Sequence, residues 1–488
     1  MAVGDILTRA RPFLRGELHS VDEELPTFVE VLASAGAGEC WHKHGDFLHH
    51  LLDVYRILHL WGAHPHVSRC GLFHSAYSNS YVNLAIFPPD VGRPDVRRII
   101  GGPAEHLVHL FCIVPRQPLI HDDLLFRYTD AELVQDLADS QASLEASSKP
   151  PPVASDNHLP EWRRKLQALL PAEGITVKHI RTGEDVVVPR RLVAIFLLMT
   201  MADFSDQLFG FQDVLFDNAN GRMEFTGNSF TALWPGNGKP GLWMNSISRM
   251  GALYNLIARE EILYIMERDR KDGGCDHHGA NGRIGNDGDH RGTDNSNENG
   301  DLVNGYFSER MEEIELVIPP VFDDCTKVLD QHEQIEARDL YWEAVSGVGE
   351  ANETAAELLV KCCEKNPFVG EPHVVLAQTY LSMGSYEEGE REAEVGLRLM
   401  LEWGSSWDKR MSWEGWISWA RVLVMKAKER SWPKASWGIL NLGLVKYTKV
   451  SIGGMTKLSR PAWCSSVTNS ESLFLNILKR LASLCYCL

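Results

Sequence analysis

The chain has 488 residues and a formal net charge of −18, with 44% hydrophobic and 23% charged residues. That balance excludes wholesale disorder and any collagen-like or disulfide-dense class, and the length allows about two to four domains with real cores. The acidic charge argues against general binding to nucleic acid or a membrane surface.

No apolar run approaches the ~20 residues of a transmembrane helix; the best, Leu192 to Met201, reads as a buried helix, so no membrane span is expected. The N-terminus carries Asp5 early and makes a poor signal peptide. Ten cysteines are scattered without a C-x-x-C, which fits a reducing compartment, and the chain is assigned to the cytoplasm.

Helical periodicity dominates, so the fold class is mainly α. Residues 1–139 are expected to form a helical core, and they hold twelve of the 19 histidines. Phe47, His50, Leu51, Val54, Ile57, Leu58 and Trp61 share one face, with His49, Asp53 and Arg56 on the other. A Ser/Pro-rich linker or loop is expected over 140–160, and a helical continuation over 161–271. Within the latter, GITVKHI (174–180) and EDVVV (184–188) pair as one hairpin, and 190–209 is helical. The Gly/Asp/Asn-rich tract 272–301 should be disordered, which leaves its three histidines without fixed geometry.

His50 points inward. The next internal histidine is His74 in CGLFHSAY, after a turn marked by Gly62 and Pro65. Two buried imidazoles on successive elements can converge on a metal ion, and Asp203, flanked by Met199, Ala202 and Phe204, is a carboxylate in search of a cation.

HHLLDVYRIL, WG and CGLFHSAY together resemble the opening helices of the HD-domain superfamily of metal-dependent phosphohydrolases and HD-fold di-iron oxygenases. Residues from about 40 to 130 most resemble an uncharacterised HD-like domain family of bacteria and plants that reads L-F-H-S-x-Y at its second motif. The resemblance implies His50 and His74 as the first two metal ligands and Asp203 as the last. It departs at Ser75, where the superfamily has a metal-bridging Asp; a neutral hydroxyl supplies no bridging charge. The implied cofactor is therefore one divalent ion (iron, manganese or zinc), with His44 and His106 as further candidate ligands.

Beyond 302 a second character appears. A period of 34 relates Trp342, Ala355 and Cys362 to Leu376, Gly389 and Gly396, and the second unit resembles the tetratricopeptide repeat from Leu376 through the Gly384–Glu388 turn. Residues 302–446 are thus expected to be tetratricopeptide-like hairpins with a tryptophan-rich cap, and 447–488 a loosely ordered tail. Between Trp403 and Pro461, 11 Lys/Arg face 3 Asp/Glu. The i, i+3, i+6 spacing of Trp413, Trp416 and Trp419 nonetheless favours core tryptophans over a base-stacking platform, and no nucleic-acid partner is expected.

Two function classes stand. One is an interaction protein that binds a protein or peptide through its tetratricopeptide-like region, its HD-like domain degenerate. The other is a metal-dependent HD-fold enzyme, a phosphohydrolase or an iron oxygenase acting on a small substrate.

Overall fold

The computed structural model describes residues 3–42, 45–77, 85–87, 91–147, 159–207, 243–272, 314–346, 352–409, 411–433, 449–452 and 455–458. The fold is mainly α, and what strands there are form two-stranded antiparallel hairpins. Among the described residues no helix is long and apolar enough to cross a membrane.

The chain divides into two compact units. One comprises residues 23–203 and 247–322, the other 1–22, 204–246 and 323–488. The first 22 residues thus leave the unit that the sequence assigned to 1–139. Their helix α1 (Val3–Arg15) buries Ile6 and Ala10 in the unit of the C-terminal hairpins.

In the unit of residues 23–203 and 247–322, helix α2 (Leu25–Ser34) is followed by a tight antiparallel pair, β1 (Trp41–His42) and β2 (Gly45–Asp46). Asp46 then caps helix α3 (Phe47–Trp61): its carboxylate accepts the His49 amide at 3.0 Å. Gly62, at φ 86°, ends the helix. The apolar face is as expected, and His49 lies on the solvent side. Arg56 does not follow: it is buried, paired with Asp53 at 2.6 Å, because a long side chain can lay its stem on apolar surface and keep its charge satisfied.

Helix α4 (Pro65–Leu72) starts on Pro65, with His64 Nδ1 accepting the His66 amide at 3.2 Å. Helices α5 (Arg93–Ile100) and α6 (Gly102–Ile113) follow, α6 packing against both α4 and α5. Helix α7 (Asp130–Ser147) carries regular structure into the expected linker as far as Ser147; 148–158 lie outside the described residues. Helix α8 (Glu161–Leu169) leads to the hairpin of β3 (Ile175–Lys178) and β4 (Asp185–Val188), in the register Ile175↔Val188 to Lys178↔Asp185. Gly174 makes this hairpin possible: a Cβ there would overlap the Val188 carbonyl.

Helix α9 (Arg190–Gln207) has its apolar core fully buried, and helix α10 (Trp243–Asp272) runs alongside α8 through Arg163, which grips Glu260 at 2.6 Å. Most of the tract 272–301 lies outside the described residues. Helix α11 (Val321–Cys325) closes this stretch.

The remaining helices are α12 (Gln331–Ser346), α13 (Asn352–Lys365), α14 (Gly370–Met383), α15 (Tyr386–Trp403) and α16 (Trp413–Lys428), each packed on the next in order. Small residues sit where the helices cross. A Cβ on Gly396 would lie 2.8 Å from the Gly370 carbonyl, and one on Gly389 3.2 Å from the Ala377 carbonyl. Trp413, Trp416 and Trp419 are buried, their indole N–H groups donating to Met400 O, Asp408 O and Gln378 Oε1 at 2.8, 2.8 and 3.1 Å. They are core residues. In the stretch 447–488, β5 (Lys449–Ile452) and β6 (Met455–Leu458) pair antiparallel, and the rest of it lies outside the described residues.

Candidate metal centre

His50, His74 and Asp203 are brought together. Each offers one ligand atom, and these atoms lie within 4.8 Å of one another, all three residues buried. The three come from separate elements: the apolar face of α3, the turn that follows α4, and the last part of α9.

His50 Nε2 stands 3.1 Å from Oδ1 of Asp203, and His74 Nε2 stands 3.8 Å from the same oxygen. The two rings meet edge to face, centroids 5.4 Å apart and planes at 89°. Phe47 stacks on His50 at 5.9 Å, and Phe111 presents its edge to His74 at 6.2 Å.

The tautomer of His74 is fixed from outside the cluster. Its Nδ1 donates to the Gly71 carbonyl at 2.7 Å, which leaves the Nε2 lone pair facing Asp203. Cys112 Sγ donates to the His74 carbonyl at 3.3 Å and ties the turn to α6. Such outer hydrogen bonds orient metal-binding imidazoles.

The protonation states suit a cation. Burial pushes the His74 imidazole down to about 4, against the attraction of Asp203. Burial alone would raise the Asp203 carboxyl, but the hydrogen bond from His50 and the charges of His74, His50 and Arg116 hold it well below the carboxylate range. A neutral imidazole and an ionised carboxylate are the forms a metal requires.

Arg116, which the sequence reading passed over, stands behind this site. It is buried, with its guanidinium 3.4 Å from the centroid of Phe111, Nε donating to Phe111 O at 3.0 Å and Nη1 to Thr200 Oγ1 at 3.4 Å. Thr200 lies one turn before Asp203 on α9, so Arg116 holds the carboxylate helix against α6. Its signal in sequence was a lone arginine one proline beyond the apolar run Leu110–Val114.

The further candidates fare differently. His106, half-buried on α6, is not among the three donors; it sits in the charge field of Arg93, Glu105 and Arg97. His44 lies outside the described residues. Ser75 is buried in the turn beside His74, its carbonyl accepting the Ile86 amide at 3.0 Å. It brings no second carboxylate.

Residues 31–116 match a family described as a domain of unknown function, DUF6817. The match takes in His50 and His74 but not Asp203. No curated protein and no solved structure matches the chain.

Proposed function

We propose that residues 23–203 and 247–322 form a metal-dependent enzyme domain of HD-like type, with one divalent ion (iron, manganese or zinc) held by His50, His74 and Asp203. The observation that carries this reading is the meeting of three ligand atoms within 4.8 Å in the protein interior, from three elements far apart in sequence. Two imidazoles and one carboxylate leave coordination positions open, and without an acid at position 75 the set fits one ion rather than two.

When bound, such an ion supplies a Lewis acid that polarises a substrate oxygen or lowers the pKa of water. The protein's own part is orientation and exclusion. Gly71 keeps the proton on His74 Nδ1, Arg116 anchors the helix of Asp203, and Phe47 and Phe111 shut bulk water from the imidazole rings. The reaction class is hydrolysis of a small substrate, or its oxidation where the ion is iron.

Metal analysis of protein purified without a histidine tag tests this. About one equivalent per chain is expected, lost in His50→Ala, His74→Ala and Asp203→Asn alike. Protein free of metal after growth with iron, manganese or zinc would sink the reading, and the ion found separates hydrolase from oxygenase.

The hairpins of α12–α16 support a second role. We infer that they are a tetratricopeptide-like scaffold for a protein or peptide partner, supported by ordered helix-on-helix packing and by glycines at the crossings. A partner captured by full-length protein should be lost with Gly396→Leu and kept by His74→Ala. Retention in both variants would count against it.

A further inference from the structure

The connection between α15 and α16 is buried, although connections normally run over the surface. Ser405, Ser406, Trp407 and Asp408 each keep no more than 4% exposure. Glu371, in the first turn of α14, reaches into this segment. Its Oε1 accepts the Trp407 amide at 2.5 Å and the Asp408 amide at 3.2 Å. Neutral donors hold the segment from other sides. Trp416 Nε1 donates to the Asp408 carbonyl at 2.8 Å, and the Tyr341 hydroxyl to Asp408 Oδ2 at 2.7 Å.

Glu371 is 1% exposed, and among the described residues it has no cation as partner. The charged group facing it is a second acid, Asp408. Lys409 is engaged instead with Ser405 Oγ at 2.9 Å and Asp206 Oδ1 at 3.5 Å. On α15, Arg398 and Glu402 pair with each other at 2.9 Å, and His373 on α14 pairs with Glu392 at 2.6 Å. Phe368, Leu399, Met400, Trp403 and Trp407 wall a void of about 10 Å³ beside Glu371. That is room for one water at most.

A carboxylate cannot be hydrated in so small a space, and no cation replaces the lost water. Burial is accordingly the first cause that keeps the proton on Glu371 up to about 7. Asp408 adds to it, and the amides of Glu371, Trp407 and Asp408 oppose it. Ionisation therefore favours any arrangement in which water reaches the carboxylate.

We propose that Glu371 is a pH-sensitive latch on the α15–α16 connection: protonated, it stays in the core and holds the Trp407 and Asp408 amides; ionised, it moves out to water and releases residues 404–409. Release uncovers Trp407, whose ring packs on Tyr341 with centroids 5.1 Å apart and planes at 71°. The latch uses no ligand of the metal centre and requires no peptide partner.

Hydrogen exchange of the full-length protein tests this, read by mass spectrometry from pH 5 to 8 and corrected for the intrinsic pH dependence of exchange. The released carboxyl titrates at its ordinary 4.5 and the latched one at about 7. The closed form is thus fully favoured below 4.5 and loses ground as pH rises, levelling off above 7. Protection over residues 404–409 should fall at least about tenfold between pH 5 and 8. Glu371→Gln should abolish the fall. Asp408→Asn, which keeps an acceptor for Tyr341 but removes the facing charge, should make it smaller. Equal protection of the wild type at pH 5 and 8 would overturn the proposal, as would an undiminished fall in Glu371→Gln. Should that variant not fold, an undiminished fall in Asp408→Asn would overturn it. A fall shared by all helices alike would be global unfolding and would overturn it too.

Discussion

Gly71 leaves no room for a side chain against Leu58: a Cβ at this position would overlap Cδ1 of Leu58 and press on Cγ1 of Val54 at 3.2 Å. The close approach sets α4 directly on α3, and it does so three residues before His74. Gly71 thus fixes the distance between the two histidine-bearing elements, and its carbonyl fixes the His74 tautomer. Gly71→Ala should destabilise the protein by ~1–3 kcal/mol through overpacking, read from urea denaturation. It should also lower metal occupancy. An unchanged midpoint with full metal content would show that α3 and α4 can part without cost.

Acid should destabilise the metal-free protein well above the carboxylate range. His74, His106, His109 and His121 are each lowered from 6.5 to about 4 in the folded state, burial being the first cause in all four. Below 6.5 the unfolded chain takes up protons that the folded chain refuses, so stability falls as pH drops through that window and levels off near 4. Melting in the presence of a chelator, followed from pH 7 to 4, should show more than one proton bound on unfolding. A flat profile would mean these imidazoles are solvated.

Glu371 has the opposite sign. Burial, and then the nearby charge of Asp408, push its carboxyl up to about 7, although the Trp407 and Asp408 amides donate to it at 2.5 and 3.2 Å. The folded state keeps the proton that the unfolded chain releases from 4.5 upward, so this group costs stability as pH rises toward 7. Glu371→Gln keeps the acceptor and removes the charge. It should stabilise the protein by about 1–3 kcal/mol at pH 8 and by little at pH 5. Destabilisation at both values would show that the ionised form is needed to hold the Trp407 and Asp408 amides.

The two crossing glycines of the hairpins should differ. A Cβ on Gly396 meets backbone, the Gly370 carbonyl at 2.8 Å and the Val374 amide at 3.1 Å, whereas one on Gly389 first meets the end of the Leu381 side chain at 3.0 Å. Gly396→Ala should therefore cost more than Gly389→Ala, by roughly 1–2 kcal/mol, because backbone cannot step aside. Glu387→Leu, at an exposed ion pair with Arg430, should stay within about 0.5 kcal/mol.

The candidate ligands were legible because burial leaves a periodic mark. His50 interrupts an apolar stripe, His74 closes the next one, and Asp203 is an acid in a run with no reason to tolerate it. Arg56 was misplaced because periodicity reads the position of Cβ, and a long side chain can bend back to the core. Arg116 and Glu105 were missed for a different reason. The partner that places Arg116 is Thr200, 84 residues on, while Glu105 meets Tyr77, 28 residues before it, and two arginines across the turn between α5 and α6; periodicity within a single helix joins none of these pairs. Helix α1 was assigned to the wrong unit on the same ground, since its amphipathic face does not say which surface it meets.

The separation of Asp203 from the two histidines also has a kinetic meaning. His50 and His74 can approach through a local helical hairpin, but the carboxylate arrives only after the chain between α4 and α9 has been laid down. Closing so long a loop belongs late on a folding route. An ion bound at this centre would therefore meet no complete ligand set until the unit is nearly native. It would leave the folding rate as it was and act as a brake on unfolding alone.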